Sequence, residues 1–206
     1  METLRFLDLP FSIRKLHFMR LESISYKSVL IFLIFNIPIS LRAQIFNWGG
    51  GFGSYSSESA NAIEVDGAGN TYVVGKYRNT VDFDPSGGAF LMTAQGESDI
   101  FILKLDPNGQ FLWSKSIGGT SFDYANDIKI DGNGDVFITG VFRNTVDFDP
   151  GTSTHNLTSN GQYDVFVLKM DQSGNHIWST SFGGGGYDYG NKICLLYTSD
   201  AADDTR

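Results

Sequence analysis

Two pairs of aspartates, Asp82 with Asp84 and Asp147 with Asp149, stand one residue apart inside an octapeptide, RNTVDFDP, that occurs identically at residues 78–85 and 143–150. Alternate residues of an extended segment point the same way. Each pair therefore has three uses open to it: sharing a calcium ion, acting as acid and base, or accepting N–H groups from a neighbouring turn. A catalytic site is a unique constellation. These carboxylates return with identical neighbours, as residues that build a fold do, so the structural role is the first expectation, calcium the second and catalysis the last.

Other candidates fail on spacing. Asp131-Gly132-Asn133-Gly134-Asp135 opens like a calcium loop, but the twelfth position, which should be Glu, is Phe142, so a hairpin turn is the better reading. Residues 171–178, DQSGNHIW, are similar to a sialidase Asp-box, yet Gly174 and Trp178 fall too far after Asp171. His17, His155 and His176 form no ligand-like spacing. The run of Gly183 to Gly186 lacks the Lys-Ser/Thr and the helix of a phosphate loop. Cys194 is the only cysteine, so disulfide, CxxC and thiol-nucleophile chemistry have no basis. No catalytic, cofactor-binding or metal residue is expected, no cofactor, and no enzyme. Asn156-Leu157-Thr158 matches a glycosylation sequon that carries little weight.

Charge narrows the partners. Between Gln44 and Ile193 the chain has 8 Lys or Arg against 17 Asp or Glu, with no basic cluster. Such a surface repels phosphate backbones and anionic membranes, so nucleic acid is not an expected partner.

The elements that carry these residues recur. Trp48, Trp113 and Trp178 are 65 residues apart, and Asn61, Asn126 and Asn191 keep the same offset. So do Asp66 and Asp131, Gly75 and Gly140, Asp99 and Asp164, Lys104 and Lys169, and Asp106 and Asp171. A fixed period of this length marks a repeat architecture. Within one unit, segments rich in β-branched and aromatic residues flank turns of the form D-x-x-G, in which Asp accepts backbone hydrogen bonds and Gly takes the left-handed position. Two such hairpins predict four strands per unit. In DIFILKLD, Ile100, Ile102 and Lys104 share one face and Phe101, Leu103 and Leu105 the other. Two largely apolar faces suit a strand sandwiched between neighbouring sheets. The fold expected is all-β: β-propeller blades, each a four-stranded antiparallel sheet, with two full repeats at about 48–112 and 113–177 and the start of a third at 178–193.

Together W-x(4)-GG, N-x-I, D-x-x-GN-x-Y-x-x-G, T-V-D-F-D-P and D-I-F-x-L-K-x-D-x-x-G resemble the SBBP type of bacterial β-propeller repeat from Trp48 to about Ile193. Ser54, where the other copies have Gly119 and Gly184, is the one departure. The resemblance implies a secreted or surface-exposed protein. Residues 26–41, YKSVLIFLIFNIPISL, agree: a basic flank, a short apolar core and a small residue describe a signal peptide, placing a leader at 1–43 and a mature start at Gln44. Met19 would give a leader of ordinary length. At the other end the register asks for Asp at 196 and Gly at 205, where the chain has Leu196 and Thr205. Residues 194–206 resemble read-through of a sequencing adapter and are expected to be an artefactual tail.

The function expected is non-catalytic binding or scaffolding of a protein or carbohydrate ligand, with no membrane insertion after leader cleavage. The alternatives are a piece of an extracellular hydrolase or lyase and a structural adhesin spacer. The most variable loop, residues 86–98 against 151–163, is where ligand contacts are expected. Two and a fraction blades do not close a ring of 4 to 8, so residues 44–193 alone are expected to expose strand edges and apolar faces.

Overall fold

The structure, a computed structural model, describes residues 48–53 and 57–196. The leader at 1–43, Met19, His17, Ser54 and residues 197–206 of the tail lie outside the described residues. Twelve strands and no helix are found among those described. The first sheet has the order β1-β2-β5-β6, from Ser59–Val65, Thr71–Tyr77, Asp99–Leu105 and Phe111–Ile117. The second repeats it as β7-β8-β11-β12, from Tyr124–Ile130, Val136–Phe142, Asp164–Met170 and His176–Phe182. All pairings are antiparallel. Each sheet closes on a strand carrying a repeated Trp, so the Trp-to-Trp period runs one strand out of step with the sheets.

The sequence pattern predicts four strands per unit, and the structure has six. Between β2 and β5 a two-stranded hairpin is inserted, β3 at Thr80–Asp82 with β4 at Leu91–Thr93. Its counterpart in the second unit is β9 at Thr145–Asp147 with β10 at Asn156–Thr158.

All seven residues of β5 are buried, because both faces of its sheet are covered. On one face Tyr72, Val74, Ile100 and Ile102 meet Phe148, Phe166, Leu168 and Met170 of the second unit in a single core. On the other, Phe101, Leu103 and Leu105 pack with Tyr77 and Phe83, roofed by Trp48 and Phe52. Phe52 stands 5.4 Å from both Phe83 and Phe101. Ile117 joins Phe148 and Phe166, so the first sheet presses the end of its last strand onto the second. In β11 the outward Val165 and Val167 are only half-buried. These sheets are blades of a β-propeller, stacked face to face in an unclosed ring.

Candidate functional site

One end of the blades keeps a common turn. All four blade hairpins turn through D-x-x-G, with Gly69, Gly109, Gly134 and Gly174 at φ between 78° and 87°. In each, the Asp Oδ1 accepts the N–H groups two and four residues on: Ala68 and Asn70 for Asp66, Asn108 and Gln110 for Asp106, Asn133 and Asp135 for Asp131, Ser173 and Asn175 for Asp171. The Gln110 and Asn108 N–H groups hold the Asp106 carboxyl below the usual range. Asp131 to Asp135 is thus a hairpin turn, its first carboxylate occupied by backbone.

The repeated aspartate pairs close the inserted hairpins. Asp82 Oδ1 accepts from the N–H groups of Asp84 at 3.0 Å and Phe90 at 2.8 Å, which lower its pKa. Asp147 Oδ1 accepts from the N–H groups of Asp149 at 3.0 Å and His155 at 2.8 Å. Asp84 Oδ1 takes the N–H and hydroxyl of Ser86, and Asp149 Oδ1 the N–H of Gly151 at 2.8 Å. No group of three or more His, Cys, Asp or Glu is arranged for a metal among the described residues.

The junction between blades is built from the other repeated residues. Asn61 and Asn126 are each the extra residue of a bulge in the first strand of a blade, a device that re-aims a side chain out of the ladder. Opposite them sit Gly75 and Gly140, where a Cβ would lie within 2 Å of the Ser59 and Tyr124 carbonyl oxygens. Trp48 and Trp113 each pack on a turn glycine: a Cβ on Gly109 would strike the Trp48 ring, and one on Gly174 would come within 3.2 Å of Trp113. Trp178 is 40% exposed. Lys104, buried, donates to the Gln172 carbonyl of the next blade at 3.0 Å and lies 4.8 Å over the Tyr72 ring. Asp123 is wholly buried at this junction, accepting from Gly119 and Arg143 N–H groups, and burial pushes its carboxyl up to about 7.

The opposite, loop end carries the identical octapeptide and, after it, the most variable loop, residues 86–98 against 151–163. A polar cleft of about 460 Å³ opens between the last strand of the first blade and the inserted hairpin of the second, lined by Ser116, Thr120, Thr145, Asp147, Asp149 and Asn156 among others. Lower on the second blade, where β12 leaves the Asp171 turn, His155 of the inserted hairpin meets His176 with ring centroids 4.7 Å apart, where the first copy pairs Phe90 with Phe111 at 4.8 Å. The sequence spacing of the histidines hides this contact, which the hairpin creates by folding onto β12. Toward the first strands lies an aromatic array that pattern reading passes over. Phe122 is 6.4 Å from Tyr124, Tyr124 is 6.0 Å from Tyr163, and Tyr163 reaches Tyr187 at 5.5 Å and Tyr189 at 6.2 Å. Tyr163 belongs to the variable loop expected to carry ligand contacts. Extended segments bring it there, through parallel bridges of Ser98 with Phe122 and of Tyr163 with Tyr187.

No protein-family model matches the chain. It is 31% identical over 118 residues to an uncharacterized WD repeat-containing protein, L264, of Acanthamoeba polyphaga mimivirus, which covers 50% of this chain and 8% of the relative. It is 28% identical over 90 residues to the regulatory protein FlaEY of Caulobacter vibrioides, covering 44% of this chain and 9% of that protein. The chain thus spans less than a tenth of the curated relatives it matches. The repeats and the blades together make it a β-propeller-type repeat protein.

Proposed function

We propose that the chain is a non-catalytic binding or scaffolding module of the SBBP repeat type, secreted or displayed on the cell surface of a bacterium, that takes its ligand at the loop end of the blades. One observation carries this reading: Tyr163, standing where the first copy has Ser98, joins Tyr124, Tyr187 and Tyr189 in an aromatic array at the loop end that the first copy does not complete. Tyrosine offers a large, rigid and amphipathic contact surface at low entropic cost, which is why binding loops use it. The repeated carboxylates, spent on backbone N–H groups, leave little for acid and base chemistry. The leader-like segment at 1–43 supports export.

The experiment is a screen of the purified chain against peptide and glycan arrays, with alanine variants of Tyr163, Tyr187 and Tyr189 beside variants of the exposed turn residues Asn133 and Ser173. The expected result is signal lost only in the tyrosine variants. Equal behaviour of both sets overturns the placement. Release of substrate fragments by the chain would make it an enzyme instead. N-terminal sequencing of the exported protein tests the predicted start at Gln44.

A further inference from the structure

At the junction between the two blades, both aromatic residues that open the second blade carry a cation. Lys76 Nζ lies 4.5 Å from the centroid of the Tyr124 ring, and the guanidinium carbon of Arg78 lies 5.3 Å from that of Phe122. Advanced by one repeat, Phe122 corresponds to Tyr187, Tyr124 to Tyr189, Arg78 to Arg143 and Lys76 to Val141. The aromatic acceptors are kept and the lysine is lost. Val141 is buried, and among the described residues no lysine or arginine stands over Tyr187 or Tyr189.

The second junction has also gained a ring. Tyr163 stands where the first copy has Ser98, and its ring adjoins both Tyr187 and Tyr189. The two last rings are nearly parallel, at 8° and 6.5 Å between centroids. Asp188, between them in sequence, adds a negative charge, and the chain has a formal net charge of -8.

We propose that Tyr163, Tyr187 and Tyr189 form a site for a lysine or arginine side chain of a partner, so that a basic peptide segment supplies the cation that Lys76 supplies internally at the first junction. This rests on the binding-module reading and names the chemistry of the partner. A ring face attracts a cation through its quadrupole, more strongly as water is excluded. The net negative charge of the chain favours encounter with a basic partner. The same rings, one repeat earlier, show which ligand they accept.

The test is calorimetric titration of the whole chain with three probes: a peptide alternating lysine and glycine, its glutamate counterpart, and a neutral oligosaccharide. The lysine peptide is expected to bind, and Tyr189→Ala to weaken it about tenfold or more. Tyr187→Phe with Tyr189→Phe, which keeps the ring faces, should retain most of the affinity. Val141→Lys restores the first-junction arrangement and should block the site from within, whereas Asn133→Lys, which adds the same charge at an exposed turn, should not. Circular dichroism of each variant keeps loss of fold apart from loss of binding. Equal affinity for the lysine peptide in wild type, Tyr189→Ala and Val141→Lys overturns the proposal, since the attraction is then general charge. Binding of the oligosaccharide alone, lost in Tyr189→Ala, also overturns it but leaves the binding-module reading standing. No probe bound here, and no ligand at the loop end in the array screen, would remove both.

Discussion

Asn61 donates through Nδ2 to the carbonyl oxygen of Ala125 at 2.8 Å, and the residue after that acceptor, Asn126, donates in turn to the carbonyl of Gly190 at 3.0 Å. One repeat of sequence thus lays one bond from blade to blade, with the bulge that frees each Asn fitted against Gly75 or Gly140. Leaving a half-buried carbonyl without its donor costs on the order of 1 kcal/mol. Asn126→Ala is expected to lower the unfolding free energy by that amount, seen as a lower urea midpoint with the slope unchanged. Gly140→Ala, whose Cβ has nowhere to go, should cost clearly more. Equal small effects would show that the bulge is not what holds the junction.

The turn glycines allow a paired comparison. Gly174 has φ +79°, and a Cβ there would come within 3.2 Å of Trp113, whereas a Cβ on Gly132 meets nothing within 4 Å and no positive φ opposes it. Gly174→Ala therefore combines left-handed strain of about 1–2 kcal/mol with displacement of the ring. Gly132→Ala should be neutral or slightly stabilising through the unfolded chain. Thermal unfolding of the two variants, with Trp fluorescence as the probe, checks both signs.

The turns and the blade faces were legible because their causes are local: D-x-x-G closes a hairpin with its own atoms, and the alternation in DIFILKLD needs no partner to be read. The inserted hairpin escaped because its strands, TVD with LMT and TVD with NLT, are three residues long and sit in polar loops. The histidine pair and the tyrosine array were invisible for a further reason. Their members are far apart in sequence, and the contacts exist only once the hairpin folds onto β12 and the loop bridges to Tyr187. A signal was nonetheless present. Subtracting one copy from the other leaves Lys76 against Val141, Phe90 against His155, Ser98 against Tyr163 and Phe111 against His176, which are residues of the sites described.

Asp147 separates structural from metal-binding use. Its Oδ1 alone accepts both the Asp149 and the His155 N–H, so Asp147→Asn keeps a carbonyl acceptor for them and should cost less than half as much as Asp147→Ala. The alanine variant is expected to lose on the order of 1–2 kcal/mol and hydrogen-exchange protection in β9 and β10. Chelation with EGTA should leave Tm unchanged in wild type. A drop in Tm on chelation that Asp147→Asn abolishes would instead assign the pair to calcium.

Asp123, buried, and His176, half-buried, give the stability opposing pH slopes. Asp123, with its carboxyl raised to about 7 by burial against an ordinary 3.8, stays protonated in the folded chain while the unfolded chain has released its proton. Stability from this group is therefore full below about pH 4 and is lost as pH rises toward 7. His176 works the other way. Burial and the neighbouring His155 lower its pKa from 6.5, so the unfolded chain takes up a proton that the folded one declines, and stability is lost as pH falls below 6.5. The wild type should show a flattened profile in which these terms partly offset. Asp123→Asn gives up one acceptor for the Gly119 or Arg143 N–H at every pH, but relative to wild type it should gain as pH rises from 4 to 7. His155→Phe with His176→Phe, which rebuilds the Phe90 and Phe111 pair of the first copy, should gain as pH falls from 7 to 5. Urea unfolding at pH 5, 6 and 7.5 reads both differences. Parallel profiles for all three proteins would mean that neither group titrates differently in the folded chain.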